Sequence, residues 1–229
     1  DEYQFRPMKF TRAFTDNSPG SVLVECGNTR VLCTVSITDF VPQWMHGRKG
    51  GWLTAEYAML PGATHTRKFR DGRNNRVDAR SLEIQRLIGR SLRSVVNLKD
   101  LPEITLWVDC DVLSADGGTR TAAINGASVS VYDALLYLEE KKNIRTWPMP
   151  DLVSAISVGV FNNKVLVDLD YKEDSNASVD LNLVCDSASN YVEIQGSAEG
   201  SPFAHEQLQE MLESGRKACS EIDALQRQA

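Results

Sequence analysis

Two adjacent glycines between an apolar run and a long Ala- and Ser-rich segment limit how this chain folds more than any other feature. Gly117 and Gly118 follow a strand predicted over residues 104–112. The segment at residues 119–138 is apolar nearly all round, which is typical of a helix buried between layers. A strand that passes through a glycine turn into a buried helix indicates a layered fold of strands and helices.

The same turn has the composition of an anion pocket. Gly118 leaves backbone N–H groups uncovered, and the N-terminus of the following helix carries a partial positive charge. Arg120 adds a planar guanidinium that can hold two oxygen atoms, although a cation in the first turn opposes the helix dipole unless an anion compensates it. By spacing alone, phosphate binding at Gly118, Thr119 and Arg120 and a purely structural turn explain the motif equally well.

The rest of the chain predicts a mixed fold rather than a doubly wound parallel sheet. Helices are expected at residues 78–96, 119–138 and 203–226, and strands at residues 20–26, 30–37, 104–112, 153–161, 164–171, 179–185 and 191–195. Between residues 40 and 77 we expect a long loop system with short strands. Because strands and helices do not alternate strictly, we expect an α/β (α+β) fold, with residues 1–229 in one domain.

Positive charge is concentrated in one segment of an acidic chain. The net charge is −6, yet residues 67–93 hold eight arginines and one lysine against three acidic residues. The arginines are Arg67, Arg70, Arg73, Arg76, Arg80, Arg86, Arg90 and Arg93. Since Arg makes fork-like contacts with phosphate groups, this block indicates a local site for a polyanion. For Arg86, Arg90 and Arg93 a solvated helix face, an RNA contact and a subunit contact all remain open.

Arg80 differs from the other arginines of the predicted 78–96 helix. At 100° per residue it lies about 40° from Ile84, on the apolar side of the helix. We therefore expect Arg80 to point inward from the first turn, where a bound anion would compensate its charge.

Acidic side chains form a third candidate site. Residues 164–171 and 179–183 alternate apolar and polar positions, so each segment would bury one face and align its acids on the other. The acids concerned are Asp168, Asp170 and Asp180 on these segments, with Glu173 and Asp174 in the link between them. Clustered carboxylates repel unless a proton or a cation bridges them, and their oxygens suit Mg²⁺ or Mn²⁺. Alone, the stretch is better explained as an exposed acidic hairpin; beside a phosphate site it fits metal-assisted phosphoryl transfer.

Several classes of protein lack support in the sequence. No apolar run approaches the roughly 20 residues that span a bilayer, and the start shows no secretory signal, so we expect no membrane partner. The five cysteines form no C-x-x-C pair, which favours buried thiols in the cytoplasm. Nucleophile-elbow, Walker and Rossmann motifs do not occur.

Four long motifs resemble bacterial ribonuclease PH. They occupy residues 51–61, 80–90, 109–121 and 173–180, and the similarity extends over essentially the whole chain. The resemblance implies a ribosomal-protein-S5-domain-2-like fold of two similar βαβα-type halves, and a homohexamer built as a trimer of dimers. It also implies a phosphorolytic 3′→5′ exoribonuclease that trims tRNA precursors and other RNA 3′ ends. Inorganic phosphate would be the co-substrate, Mg²⁺ the metal, and nucleoside diphosphates the products of a reversible nucleotidyl transfer.

The resemblance also assigns roles to residues. Phosphate ligands would be Arg80, Gly118, Thr119 and Arg120, and Asp174 and Asp180 would be the catalytic and metal-binding acids. Arg67 and Arg70 match family arginines for RNA contact and ring assembly. The rest of the block, Arg73, Arg76 and Arg86, would hold the body of the RNA.

Two rival functions and two departures remain. A ring subunit of an exosome-like assembly could bind RNA without chemistry, but such a subunit is expected to have lost part of the site. A hydrolase would not need the phosphate pocket. Family members begin with an Asp-Gly-Arg segment before the position of Arg6, and this sequence does not contain it, so we expect a missing start. Gly62 stands where the family commonly has Arg.

Overall fold

Nine strands form two sheets within residues 4–72, 78–141, 143–199 and 202–229, the parts of the chain that the computed structural model describes. The strands are β1 (Met8–Arg12), β2 (Gly20–Cys26), β3 (Thr29–Thr38), β4 (Trp52–Met59), β5 (Thr105–Ser114), β6 (Val153–Phe161), β7 (Lys164–Val167), β8 (Val179–Asp186) and β9 (Tyr191–Ala198). The helices are α1 (Ala79–Arg93), α2 (Thr119–Glu140), the single turn α3 (Tyr171–Asp174) and α4 (His205–Gln228). Short 3₁₀ turns lie at Gln43–Met45 and Leu98–Asp100.

The first sheet has the strand order β1-β2-β3-β5-β4 and the second the order β7-β6-β8-β9. Every neighbouring pair is antiparallel except β4 and β5, which run parallel and are joined by a crossover through α1. This crossover brings the C-terminal ends of β4 and β5 to the same edge of the first sheet.

Helix α2 packs on the first sheet at very close range. On β3, Val31, Cys33 and Val35 are fully buried beneath the helices, as the period of two requires. A Cβ atom on Gly126 of α2 would lie 2.7 Å from the Cys33 sulfur, so glycine is what allows this approach. The close packing fixes the start of α2 relative to the end of β5.

The opposite side of α2 contacts the second sheet. The Asn125 side chain donates to the carbonyl of Ala155 over 2.9 Å and accepts from its N–H over 2.7 Å. Asn125 is fully buried, so these two bonds satisfy an amide that would otherwise be costly. The prediction of a helix buried between layers is confirmed. Helix α4 covers the other face of the second sheet through Met211, Ala218 and Ile222.

The mixed α/β fold predicted from the order of elements is also confirmed: the first sheet is mostly antiparallel and shares its half of the chain with α1 and α2, and the second is wholly antiparallel and is followed by α4. The predicted strand at residues 164–171 is wrong beyond Val167. Asp168 has a φ of 60°, which ends the strand, and Asp170 then caps the N-terminus of α3. Asp168 and Asp170 therefore do not share an exposed strand face. The single-domain expectation stays a prediction.

No helix in the described residues has the length and apolar character that crossing a membrane requires.

Candidate active site

A cavity of about 360 Å³ opens at the edge where β4 and β5 end and α1 and α2 begin. Its walls come from four segments that are far apart in sequence. The lining residues are Met59, Thr64, His65, Thr66, Lys68, Arg80, Ala115, Gly117, Gly118, Thr119, Tyr171 and Asp174. The glycine turn, the first turn of α1 and the acidic segment, which are three separate predictions from the sequence, therefore meet at one place.

The glycine turn forms one wall of the cavity. Gly117 and Gly118 have φ values of 74° and 62°, the left-handed region that favours glycine. Gly118 is the N-cap residue of α2, and no side chain caps this end of the helix in the described structure. The partial positive charge of the helix N-terminus is thus directed at the site without a competing side-chain oxygen.

Thr119 is oriented by a buried tyrosine. The hydroxyl groups of Thr119 and Tyr57 lie 2.8 Å apart and share a hydrogen bond. Burial raises the pKa of Tyr57, so its hydroxyl stays protonated. This bond connects the first residue of α2 to β4, and the alternation of β4 places Tyr57 on the buried side.

Arg80 lies at the mouth of the cavity rather than inside the core. Arg80 is exposed while Ser81 and Ile84 of the same helix are buried, so its position on the apolar side of the helix directs it to the cavity but does not bury it. Arg80 is in the first turn of α1 and is the one residue of this helix among those that line the cavity in the described structure. The Arg80 side chain is therefore accessible to an anion that enters the cavity.

Arg120 is mostly buried, and its guanidinium is partly engaged. One Nη lies 3.5 Å from the Glu83 carboxylate and 3.5 Å from the Gln195 side-chain oxygen. Gln195 in turn donates to Glu83 over 2.6 Å. Glu83 belongs to α1 and Gln195 to β9, so Arg120 connects the two halves of the fold.

Asp174 and Asp180 are both partly buried, and the charge of Asp174 acts on Asp180. Burial raises the pKa of Asp180, and the negative charge of Asp174 raises it further, while Arg120 and Arg80 oppose both effects. Burial likewise raises the pKa of Asp174, with the same two arginines lowering it. The two acids and the two arginines thus form a single electrostatic cluster.

The two acids fit a divalent cation bound with other ligands. In the described residues no group of three His, Cys, Asp or Glu side chains could hold a metal by itself. Mg²⁺ is commonly bound by one or two carboxylates together with water and substrate phosphates, and Asp174 and Asp180 match that donor set. Their mutual repulsion is what a cation would relieve.

Two bonds tie the loop after β4 to the start of α1. Lys68 donates to Asp78 over 3.0 Å, and this hydrogen bond lowers the pKa of Asp78 below its ordinary value. Asp78 is also the N-cap residue of α1 and accepts from the Arg80 N–H. Ser81 donates to Asp71 over 2.7 Å. These contacts place the loop along the wall that Lys68 and Arg80 share.

The rest of the arginine block is spread over several surfaces. Arg67, Arg70 and Arg86 are exposed outside the cavity lining, and Arg73 and Arg76 lie outside the described residues. Their role in RNA binding stays a prediction. Two other arginines are engaged within the fold. Arg90 pairs with Glu193, and Arg93 donates to the Leu53 carbonyl and lies over the Trp52 ring.

Reasoning from the sequence missed Tyr57 and an ion pair between Arg6 and Asp168. Arg6 Nη2 lies 2.7 Å from Asp168 Oδ1, beside the glycine turn. The one signal for Arg6 is that it occupies the position of an arginine in the family's opening motif. Asp168 was predicted on an exposed strand face, and it is 4% exposed.

Known sequences resemble the chain along nearly its whole length. The sequence model of domain 1 of the 3′ exoribonuclease family (RNase PH) matches residues 4–136, and the model of domain 2 matches residues 151–218. These matches include every candidate phosphate, catalytic and metal residue named above.

Solved structures share the fold. Rice (Oryza sativa) Rrp46 is 21% identical with a TM-score of 0.79, covering 99% of this chain and 96% of that one. The Archaeoglobus fulgidus exosome with RNA bound to the active site is 22% identical with a TM-score of 0.78, covering 96% and 88%. An archaeal exosome core is 21% identical with a TM-score of 0.76, covering 99% and 88%. Together with the family matches, this likeness confirms the predicted S5-domain-2-like fold.

Proposed function

This chain belongs to the 3′ exoribonuclease family, and we propose that it degrades RNA from the 3′ end by phosphorolysis. One observation carries the proposal: Arg80, the Gly118–Thr119 turn and Asp174 line the same cavity, and Arg120 and Asp180 belong to the same electrostatic cluster. Binding without chemistry needs the arginines, but it does not need two half-buried acids that repel each other beside them.

In the proposed reaction, inorganic phosphate enters against the start of α2. Arg80 and Arg120 hold its oxygens, and the uncapped N-terminus of α2 adds a further positive potential. The phosphate oxygen attacks the terminal phosphodiester, the bond to the 3′ oxygen of the preceding nucleotide breaks, and a nucleoside diphosphate leaves. Both reactants are negative, so this neutralisation of charge precedes their alignment.

The acids act on the other reactant. Asp174 and Asp180 would hold Mg²⁺, which when bound neutralises charge developing on the phosphodiester oxygens. Asp180 would pass a proton to the departing 3′ oxygen only in its protonated form, when it is not bound to the cation, and burial and the charge of Asp174 both raise its pKa. Since the bonds exchanged are similar in energy, excess nucleoside diphosphate drives nucleotidyl transfer to an RNA end.

We propose tRNA precursors and other RNAs with a free single-stranded 3′ end as substrates. The exposed Arg67, Arg70 and Arg86 supply positive charge outside the cavity, with Arg73 and Arg76 in the same stretch of sequence. Contacts with phosphate groups carry little sequence information, so selection follows RNA shape and access to the end.

Assembly with other copies of the chain is part of the proposal. Three large apolar side chains, Phe40, Trp44 and Phe69, are 58%, 54% and 78% exposed. Apolar surface of this kind is typical of protein–protein contacts, and two of the solved structures with this fold are of an exosome and an exosome core. We propose a homohexamer arranged as a trimer of dimers, which the mass in solution will test.

A second candidate is a non-catalytic RNA-binding subunit of an exosome-like ring. The solved structures with this fold include an Rrp46 and two exosome assemblies, and they favour this candidate at least as well as a free-standing enzyme. The pairing of Arg120 with Glu83 is compatible with either function.

One assay separates the candidates. The full chain is incubated with a 3′-extended tRNA and Mg²⁺, with and without inorganic phosphate, and the released mononucleotide is identified. Phosphorolysis gives a nucleoside diphosphate only when phosphate is present. A nucleoside monophosphate without phosphate would make the chain a hydrolase. Retention of the RNA without any product would favour the non-catalytic subunit.

A further inference from the structure

Arg6 joins two segments of the candidate active site without lining the cavity itself. Its Nε donates to Asp168 Oδ2 over 2.8 Å and its Nη2 to Oδ1 over 2.7 Å, a bidentate pair. The backbone N–H of Arg6 also donates to Asp168 Oδ2, over 2.9 Å. On its other side, Arg6 Nη1 donates to the carbonyl oxygen of Asp116, the residue directly before the glycine turn.

Asp168 is buried, and a buried carboxylate needs hydrogen-bond donors to compensate for the loss of water. Its side chain is 2% exposed, and its φ of 60° places it at the end of β7, six residues before Asp174 in the chain. The Cys26 thiol also donates to its Oδ2 over 3.3 Å. A buried carboxylate with several donors fixes the direction in which the chain leaves β7 towards α3.

Asp116 supplies a second link between the same two segments. Its carboxylate accepts from the N–H of Tyr171, the first residue of α3, over 3.4 Å, and from the Asn28 amide over 3.0 Å. Thr29 accepts from the Asp116 N–H over 2.9 Å and donates to the Gly117 carbonyl over 2.7 Å. The turn before α2 is therefore supported from both sides by β3 and the start of α3.

We propose that Arg6 and Asp168 are positioning residues that hold the phosphate-binding turn and the segment of Asp174 at a fixed separation. The inference rests on the proposed phosphorolysis, because it gives the pair a role in aligning two reactants. Phosphate would be bound on the turn, and the metal and the RNA end would be bound beside Asp174. The bound phosphate and the RNA end must stay aligned for the attack, and a small displacement of either one slows such a reaction strongly.

The chain offers a matched control for this pair. Arg12, also on the N-terminal part of the chain, forms a bidentate pair with Asp133 through its Nε and Nη2. Neither Arg12 nor Asp133 lines the cavity at the candidate active site. Arg12→Ala therefore removes a pair of the same chemistry, away from the glycine turn and the acidic segment.

The kinetic test measures kcat and the KM for inorganic phosphate with a 3′-extended RNA. Arg6→Ala is expected to lower kcat by about tenfold or more and to raise the phosphate KM, because both segments lose their common anchor. Arg6→Lys keeps the positive charge but lacks the bidentate geometry of the guanidinium, so we expect its kcat and phosphate KM to lie between those of Arg6→Ala and the wild-type chain. Arg12→Ala keeps both constants within about twofold, the range expected for a surface pair. Wild-type constants in Arg6→Ala at a temperature where it is folded would overturn the proposal.

A second readout does not depend on activity. Amide hydrogen exchange reports local opening, and the N–H groups of Asp116 and Asp174 are both hydrogen-bonded in the structure. Arg6→Ala and Asp168→Asn are each expected to accelerate exchange in residues 115–119 and 168–174 together, whereas Arg12→Ala leaves both segments unchanged.

These readouts separate the possible failures. If the wild-type chain releases no nucleoside diphosphate but Arg6→Ala opens both segments, the proposed function fails and the structural coupling stands. If residues 115–119 and 168–174 exchange in Arg6→Ala at the wild-type rate, or if exchange is accelerated in only one of these segments, the structural coupling fails whatever the activity is. Unfolding midpoints for each variant identify general destabilisation, which would accelerate exchange throughout the chain.

Discussion

Gly117 lies directly against the backbone of Leu169, at the point where the two halves of the chain meet beside the cavity. A Cβ atom at Gly117 would lie 2.2 Å from the Leu169 carbonyl oxygen and 2.8 Å from the carbonyl carbon of Asp170. This contact leads directly to α3 and Asp174, so the glycine is needed for close approach as well as for its φ of 74°. The turn and the acids are therefore a single packed unit.

Gly117→Ala is expected to move the glycine turn away from the segment that carries Asp174. The methyl group must displace the backbone at Leu169, which moves Asp174 away from the turn, and we expect kcat/KM for phosphorolysis to fall by about a hundredfold or more. Steady-state kinetics at saturating RNA, with the concentration of inorganic phosphate varied, will measure this kcat/KM.

Two other glycines separate the causes of that loss. Gly72 has a φ of 82°, and a Cβ added there would meet no atom of the described residues within 4 Å, so Gly72→Ala carries backbone strain of about 1–2 kcal/mol without a clash among those residues. Gly62 has no positive φ, and a Cβ added there would meet nothing within 4 Å in the part of the chain that the structure describes, so Gly62→Ala is expected to behave like the wild-type chain. Equal losses in Gly117→Ala and Gly72→Ala would mean that the contact with Leu169 is unimportant.

Glu83 is expected to compete with phosphate for Arg120. The carboxylate lies 3.5 Å from the guanidinium and is about half exposed, so its attraction is modest. Glu83→Gln should lower the phosphate KM by about two- to fivefold, the size of an exposed ion pair. The control is Glu193→Gln, which removes the partner of Arg90 on the same helix and should leave the KM unchanged. A higher KM in Glu83→Gln would instead assign Glu83 a supporting role.

Asp180→Asn should separate phosphate binding from chemistry. The amide can neither carry a proton to the 3′ oxygen nor bind a cation as a carboxylate does, so kcat should fall by about 10²–10⁴-fold. Phosphate affinity, measured by calorimetry without RNA, should stay equal or improve, because a negative charge near Arg120 and Arg80 is removed. The exposed Asp16, changed to Asn, is the control for surface charge. Activity near the wild-type level in Asp180→Asn would exclude the assigned role.

The burial of Asp109 predicts how the free energy of unfolding depends on pH. Burial raises its pKa, and the charges of Glu56 and Asp111 raise it further. The folded chain therefore holds this proton more tightly than the unfolded chain, and stability falls as the pH rises from the ordinary value of 3.8 through the folded value. Asp109→Asn should raise the free energy of unfolding at neutral pH, with the gain disappearing below pH 3.8.

The neighbouring acid is the control for that experiment. Burial also raises the pKa of Asp111, but the positive charge of Arg70 opposes the rise. Asp111→Asn is therefore expected to raise the free energy of unfolding at neutral pH by less than Asp109→Asn does. Urea unfolding at a series of pH values measures both, and a gain for Asp109→Asn that grows on acidification would contradict the sign of the shift.

The elements and the position of the glycine turn were predictable because they depend on local patterns. The period of 3.6 predicted α1 and α2 to within a few residues, and two adjacent glycines before an Ala-rich segment predicted the turn. Arg80 was predicted on the correct helix and on its apolar side, but its exposure was not predicted. Helical periodicity reports direction, whereas exposure depends on what packs there, and beside Arg80 that is a cavity.

The Arg6–Asp168 pair could not be predicted in the same way. The two residues are 162 positions apart, and no local pattern joins them. Alternation of apolar and polar residues continues from Val167 into Leu169 although the strand has ended, because Leu169 enters the core from a turn. Only the three-dimensional structure shows that Asp168 faces inward to an arginine while Asp174 faces the cavity.

The most direct test of phosphorolysis uses inorganic phosphate labelled with ³²P, unlabelled 3′-extended RNA and Mg²⁺. We expect the label to appear as the β-phosphate of the released nucleoside diphosphate, and we expect Arg120→Ala to abolish this labelled product because the attacking phosphate loses its guanidinium partner. Release of unlabelled nucleoside monophosphate at the same rate with or without phosphate would mean that the chain hydrolyses RNA and does not phosphorolyse it.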